Sequence, residues 1–309
     1  MHEELYSNGK LLITGEYLVL DGALALAVPL KFGQRMNIGP GPKSWLHWIA
    51  MESGSKWFEA TFSIPELKAI HTTDHSISFR LASLLSAARR MNPEFPCPRE
   101  QGWTITTELN YPREWGLGSS STLVANLAKW SQTDPYELLW SVFSGSGYDI
   151  ACAYSEKPLL YRLEKGKPAI GQTEFCPPFH QSLYFVYLGK KQDSEAGILA
   201  FRNNVKTRHK QECADISRIT EKIAAVESQE EFNCLVLEHE SIISDLLKRP
   251  TLNETSFKGF PGIVKSLGAW GGDFALLSST TGREETVRLL QEKGFQVFFP
   301  FKEIVLQSY

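Results

Sequence analysis

The stretch Glu114-Trp-Gly-Leu-Gly-Ser-Ser-Ser-Thr122 most constrains what this chain can fold into. Before it, Trp103-Thr-Ile-Thr-Thr-Glu-Leu109 alternates apolar and polar residues and predicts a strand. After it, Leu123-Val-Ala-Asn-Leu-Ala-Lys-Trp130 predicts a helix. Strand, glycine-rich loop and helix in that order let a backbone wrap a phosphate. Gly116 and Gly118 permit φ > 0 and leave no Cβ in a ligand's way. Ser119, Ser120 and Ser121 bring hydroxyls to a helix N-terminus, where free N–H groups and the helix dipole favour an anion. The competing reading of this stretch is a serine-capped helix after a tight turn. A Walker A loop is excluded, because no Gly-Lys-Ser/Thr is present. The dinucleotide fingerprint Gly-x-Gly-x-x-Gly is excluded too, because it needs glycine at Ser121.

The chain is long enough, at 309 residues, for two domains or one large α/β unit. A net charge of −3 points to neither nucleic acid nor an anionic membrane, and no apolar run reaches membrane-spanning length. The first residues, Met-His-Glu-Glu-Leu-Tyr, lack the charged and apolar regions of a signal peptide. The five cysteines (97, 152, 176, 213, 234) are scattered and form no Cys-x-x-Cys. The expectation is a cytoplasmic protein with reduced thiols and no zinc site.

Along the chain, residues 7–22 read as two short strands, Leu11 to Ile13 and Leu18 to Leu20, interrupted at Gly15-Glu16. Lys10 and Glu16 stand six apart between glycines, an odd choice for a purely structural hairpin. A buried apolar segment follows at 23–30. Residues 34–64 alternate aromatic and polar side chains as a sheet meander would. Helical spacing predicts a helix over 74–91. His71 and His75 lie near its start, with no further ligands in view for a metal. Asp134-Pro135 starts another helix, expected to run to about Phe143. A second Gly/Ser loop, 144–147, delivers Asp149 to the start of a short helix, where it is either an N-cap or a functional carboxylate. Strands are expected at 158–162, 183–188, 274–278 and 295–301, and helices at about 194–209, 211–226, 229–248 and 283–293. Gly268-Ala-Trp-Gly-Gly-Asp273 is a third glycine loop. Alternating helices and strands without a linker suggest two packed α+β domains.

Three glycine loops carrying Lys10, Glu16, Ser120 and Asp149 together contain the parts of a phosphoryl-transfer site: a phosphate cradle, a hydroxyl or carboxylate for Mg²⁺, a cation, and a carboxylate near the nucleophile. In order and content they resemble the motifs of the GHMP kinases, the superfamily of galactokinase, homoserine kinase, mevalonate kinase and phosphomevalonate kinase. Gly9-Lys10 through Glu16-Tyr17, Val19 and Gly22 match the first motif, and Gly116 to Ser120 match Gly-Leu-Gly-Ser-Ser, the most specific of the three. Gly268 to Asp273 match the third motif. Gly145-Ser-Gly-Tyr-Asp149-Ile-Ala resembles the Gly-Ser-Gly-x-Asp stretch of phosphomevalonate kinases and carries the Gly-Tyr-Asp-Ile-Ala wording that labels one GHMP subfamily.

The resemblance implies an α+β fold of two domains, a ribosomal-protein-S5-like domain over 1–167 and a ferredoxin-like domain over 168–309, with ATP and substrate between them. It implies that Glu114, Trp115, Gly116, Leu117, Gly118, Ser119, Ser120 and Ser121, with Gly271 and Gly272, hold ATP. It also implies Mg²⁺ on Ser120 and Glu137, catalysis by Asp149 and Lys10, and a substrate pocket shaped by Glu16 and Tyr17. Lys190 and Lys191 stand in a Gly-Lys loop suited to an anionic substrate. Trp115 and Trp270 replace small residues of the family pattern and would either narrow the site or stack on the nucleotide. Leu267 stands where mevalonate kinases carry a substrate threonine. The activity implied is ATP-dependent phosphorylation of mevalonate or phosphomevalonate in isoprenoid precursor synthesis. A diphosphomevalonate-decarboxylase-like enzyme and a non-catalytic metabolite sensor share the fold and stay as alternatives. A small molecule is the expected partner, and room is left for a homodimer.

Overall fold

The computed structural model describes residues 2–96, 101–190, 192, 194–204, 209–270 and 272–307. The chain forms two compact units. The first takes Met1–Gly9, Phe32–Arg113 and Leu117–Tyr154; the second takes Lys10–Lys31, Glu114–Gly116 and Ser155–Tyr309.

The first unit is a sheet covered on one face by helices. Its strands are β1 (Glu3–Leu12), β2 (Ala25–Gly41), β3 (Trp45–Glu52), β4 (Ser55–Ser63) and β5 (Ala69–Thr72). The helix α1 (His75–Met91) precedes β6 (Gly102–Leu109), and α2 (Ser119–Ser131), α3 (Pro135–Trp140) and α4 (Tyr148–Tyr154) follow it. The order is β5-β4-β3-β6-β2, with β1 also on β2. The pairs β2–β6, β3–β4 and β4–β5 are antiparallel, whereas β3 and β6 run parallel with Trp48 opposite Ile105. The period-two alternation turns Trp48, Phe58, Phe62 and Ile105 to one buried face. Leu81, Leu84, Leu85 and Ala88 of α1 and Val124, Leu127 and Ala128 of α2 recur at helical spacing and cover that face. Asp74 caps α1 by accepting from the Ser76 and Ile77 N–H groups (2.8 and 3.1 Å).

The second unit begins on the same strand β2, whose Ala25–Ala27 segment pairs with β7 (Leu159–Glu164), which pairs with β8 (Lys167–Gln172). Beyond it come β9 (Leu183–Tyr187), α5 (Ser194–Asn204), α6 (Lys210–Ala224) and α7 (Gln229–Leu247). The chain then forms β10 (Gly262–Ser266), β11 (Phe274–Ser279), α8 (Arg283–Glu292), β12 (Phe298–Pro300) and α9 (Phe301–Ile304). The strands β10-β11-β9-β12 form an antiparallel sheet in that order. Every residue of β11 is buried, as a central strand covered on both faces requires. Among the described residues no helix is long and apolar enough to cross a membrane.

The expected α+β class holds. Three local expectations do not. Leu18–Asp21 is a 3-10 turn rather than a strand, because Tyr17 has a positive φ (60°) and breaks the extended path before it. The helix from Pro135 stops at Trp140, where the indole turns to donate to the Gly145 carbonyl (3.1 Å). The last strand is only Phe298–Pro300, and the chain then coils into α9.

Leu85 is fully buried in the first unit, whereas Phe79 on the same helix is 74 % exposed. Leu85→Ala should therefore cost about 2–5 kcal/mol in urea unfolding, and Phe79→Ala no more than about 0.5 kcal/mol.

Candidate active site

The N-terminus of α2 is built to leave donors open. Its N-cap is Gly118 (φ 100°), which has no side chain to cap with. The first intrahelical bond runs from Thr122 N–H to the Gly118 carbonyl (3.0 Å). The N–H groups of 119, 120 and 121 therefore have no acceptor within the helix. The Ser121 hydroxyl turns back to donate to the Gly118 carbonyl (2.8 Å), and Thr122 donates to Ser119 (3.1 Å). Ser120 is exposed. α1 and α3, by contrast, are each closed by an aspartate.

Asp149 lies in the first turn of α4, half-buried, and its Oδ1 accepts from the Ile150 N–H (3.1 Å). α4 packs on α2, and the Tyr154 hydroxyl donates to the Ala125 carbonyl (3.1 Å). Burial, and then the charge of Asp149, hold the Tyr136 hydroxyl well above its ordinary range, which puts the carboxylate within electrostatic reach of α3. Glu137 is in the first turn of α3, its N–H held by Asp134 Oδ1 (2.9 Å).

The second unit gathers most of the other candidates. Lys10 Nζ donates to the Gly116 carbonyl (3.1 Å). Gly116 (φ 68°) admits no side chain, since a Cβ there would stand 2.5 Å from Asp273 Oδ1. Trp115 packs against Phe299, Phe274 and Tyr187 (ring centroids 5.3, 6.1 and 6.2 Å apart), and the Tyr187 hydroxyl donates to the Glu114 carbonyl (3.2 Å). Asp273 is itself a clasp. Its N–H donates to the Lys190 carbonyl (2.6 Å), and its Oδ1 accepts from the Gln192 N–H (3.0 Å). Gly272 is equally tight, for a Cβ there would stand 2.4 Å from the Lys190 carbonyl. The Lys190 side chain is exposed. Trp270 is buried, so its ring offers no face for stacking. Lys191 and Gly271 lie outside the described residues.

Glu16 and Tyr17 are both buried. The Tyr17 hydroxyl donates to the Ala269 carbonyl (2.9 Å). Glu16 is fully buried. Its Oε1 accepts from Lys265 Nζ, which also donates to the Ser266 carbonyl (2.9 Å) and stands 3.7 Å from Glu240 Oε1. His239 Nε2 is 3.2 Å from both Glu16 Oε2 and the Gly15 N–H, and it can satisfy only one of them. Burial would raise the Glu16 carboxyl, but Lys265 and then His239 outweigh it and hold it below the usual range. Burial, with Lys265 beside it, lowers His239 and keeps it neutral. Burial pushes Glu240 up to about 7. The sequence signal for this cluster is a polar pair, His239-Glu240, on the otherwise apolar face of Phe232, Leu235, Val236 and Ile243.

Among the described residues no group of three His, Cys, Asp or Glu could hold a metal ion alone. A Mg²⁺ that arrives on phosphates needs no such group, since that ion keeps several waters and takes one or two protein carboxylates.

No protein-family model matches the sequence, and no curated protein matches it. Solved structures do. The mevalonate kinase of Methanococcus jannaschii superposes with a TM-score of 0.71 at 14% identity, covering 100% of this chain and 99% of that one. Streptococcus pneumoniae phosphomevalonate kinase, in complex with phosphomevalonate and AMPPNP, gives 0.68 at 16% identity over 96% and 99%. Lactococcus lactis galactokinase, complexed with galactose, gives 0.66 at 12% identity over 99% and 94%. The chain has the two-domain GHMP kinase fold.

The raised Glu240 carboxyl sets a sign. The folded protein keeps a proton that the unfolded chain gives up near 4.5, so this contribution is full below that pH and is lost as pH rises through about 7. Glu16 and His239 act oppositely, their contributions being lost as pH falls. Glu240→Gln should gain on the wild type between about pH 5 and pH 7.5 by on the order of 3 kcal/mol, read from urea unfolding at each pH.

Proposed function

We propose that this chain is an ATP- and Mg²⁺-dependent small-molecule kinase of the GHMP superfamily, acting on mevalonate or phosphomevalonate. The observation that carries the reading is the α2 N-terminus: three N–H groups without an intrahelical acceptor, a capless Gly118, and Lys10 bonded to Gly116 two residues before it. A helix end of this kind favours phosphate oxygens by both hydrogen bonding and dipole.

In this mechanism the loop from Glu114 to Ser121, with Gly271 and Gly272, holds the nucleotide. Ser120 and Glu137 would hold Mg²⁺, which when bound neutralises charge on the phosphates. Asp149 accepts the proton of the attacking substrate hydroxyl as its oxygen bonds to the γ-phosphorus and the bond to the β–γ bridging oxygen breaks. Lys10 offsets the charge that gathers on the transferred group. Lys190 and Lys191 attract an anionic substrate. Glu16, buried and ion-paired, acts on the pocket by positioning Tyr17 and the loop that Tyr17 holds, rather than by touching substrate.

A coupled ADP-release assay with Mg-ATP against mevalonate, phosphomevalonate, diphosphomevalonate, homoserine and sugars tests this. Saturable turnover on mevalonate or phosphomevalonate is expected, while CO₂ release from diphosphomevalonate would reassign the reaction. Asp149→Asn should lower kcat by roughly 10²- to 10⁴-fold and Lys10→Met by roughly 10²- to 10³-fold, with unchanged circular dichroism. Full turnover in either variant would refute its role.

A further inference from the structure

The first unit holds a cavity of about 390 Å³, within the range of small-molecule sites. It lies where α1 and α2 end, for their C-caps Asn92 and Gln132 line it. The glycine loop is at the other end of α2, about 20 Å away along 13 residues of helix. The cavity therefore serves something other than the phosphate loop.

Its chemistry is specific. Three aromatic side chains, Phe95, Trp103 and Trp130, wall it. Trp130 meets Phe95 edge-on (4.6 Å, 80°) and Trp103 at 5.9 Å and 68°. Glu3 and Glu94 stand exposed at its rim, and among the described residues no lysine or arginine lines it. Of the three cations in the last turns of these helices, Arg90 is exposed and two are turned to backbone carbonyls: Arg89 donates to Phe95 and Pro65 (both 2.9 Å), and Lys129 to Tyr6 (2.5 Å). The negative ends of two helices, two carboxylates and three π-faces all favour positive charge.

We propose that this cavity binds a small organic ammonium ion, with the cation against the aromatic walls between Glu3 and Glu94.

Calorimetric titration of the full chain tests this with three probes: choline, 4-amino-1-butanol, and 3,3-dimethyl-1-butanol as the uncharged isostere of choline. At least one of the two cations should bind with one-to-one stoichiometry, and the neutral isostere at least about tenfold more weakly. The double variant Glu3→Gln/Glu94→Gln alters only exposed rim residues. It should weaken the cation roughly tenfold while its thermal unfolding stays that of the wild type. Equal binding of choline and its isostere, undiminished affinity in the double variant, or failure of both cations to bind would each overturn the proposal.

Discussion

The arrangement of the second unit depends on one buried ion pair. Lys265 and Glu16 have no exposed side-chain surface, and taking both charges out of water is costly unless each stays paired. Removing either partner alone would strand a charge at a cost of about 3–5 kcal/mol. The pair ties β10 to the turn that follows β1, and from there a short sequence of bonds fixes the glycine loops. Tyr17, next to Glu16, holds Ala269. Asp273, at the end of that loop, holds Lys190 and Gln192 and occupies the space in which a Gly116 side chain would have stood. Lys10 then meets the Gly116 carbonyl. Residues from distant parts of the chain are thereby set around three consecutive positions, Glu114 to Gly116.

The first unit works by what it withholds. α1 and α3 have their open N–H groups closed by Asp74 and Asp134. α2 does not, because Gly118 carries no side-chain oxygen and the Ser121 and Thr122 hydroxyls face back to carbonyls of the first turn. Leaving a helix end uncapped costs about 1 kcal/mol, the usual worth of a capping side chain. That loss is understandable where an anion supplies the missing acceptors. The same helix is polarised end to end: its N-terminus suits phosphate, and its C-terminus contributes to the aromatic, acid-rimmed cavity by Trp130 and Gln132.

Much of this was legible in the chain itself. Period-two alternation marked the sheet of the first unit and its strand β6, helical spacing marked α1 and α2, and glycine spacing marked the loop before α2, because each of those signals is local. The motif at 116–120 with Lys10 and Asp149 pointed to the GHMP fold even though identity to the solved members named above is only 12–16%.

What the sequence could not decide were contacts between residues far apart along it. The Leu18–Asp21 turn followed from a single positive-φ residue, Tyr17, that no periodicity announces. The placement of Glu16 turned on Lys265, 249 residues away. The burial of Trp270 is likewise a property of the packed second unit. The sequence by itself determined the fold class and the places of the glycine loops, since these are written in local pattern and composition. Only the tertiary structure decided that Glu16 is a buried ion-pair partner and that Asp273 forbids a side chain at Gly116. Burial and pairing across hundreds of residues are properties of the packed chain and not of any window within it.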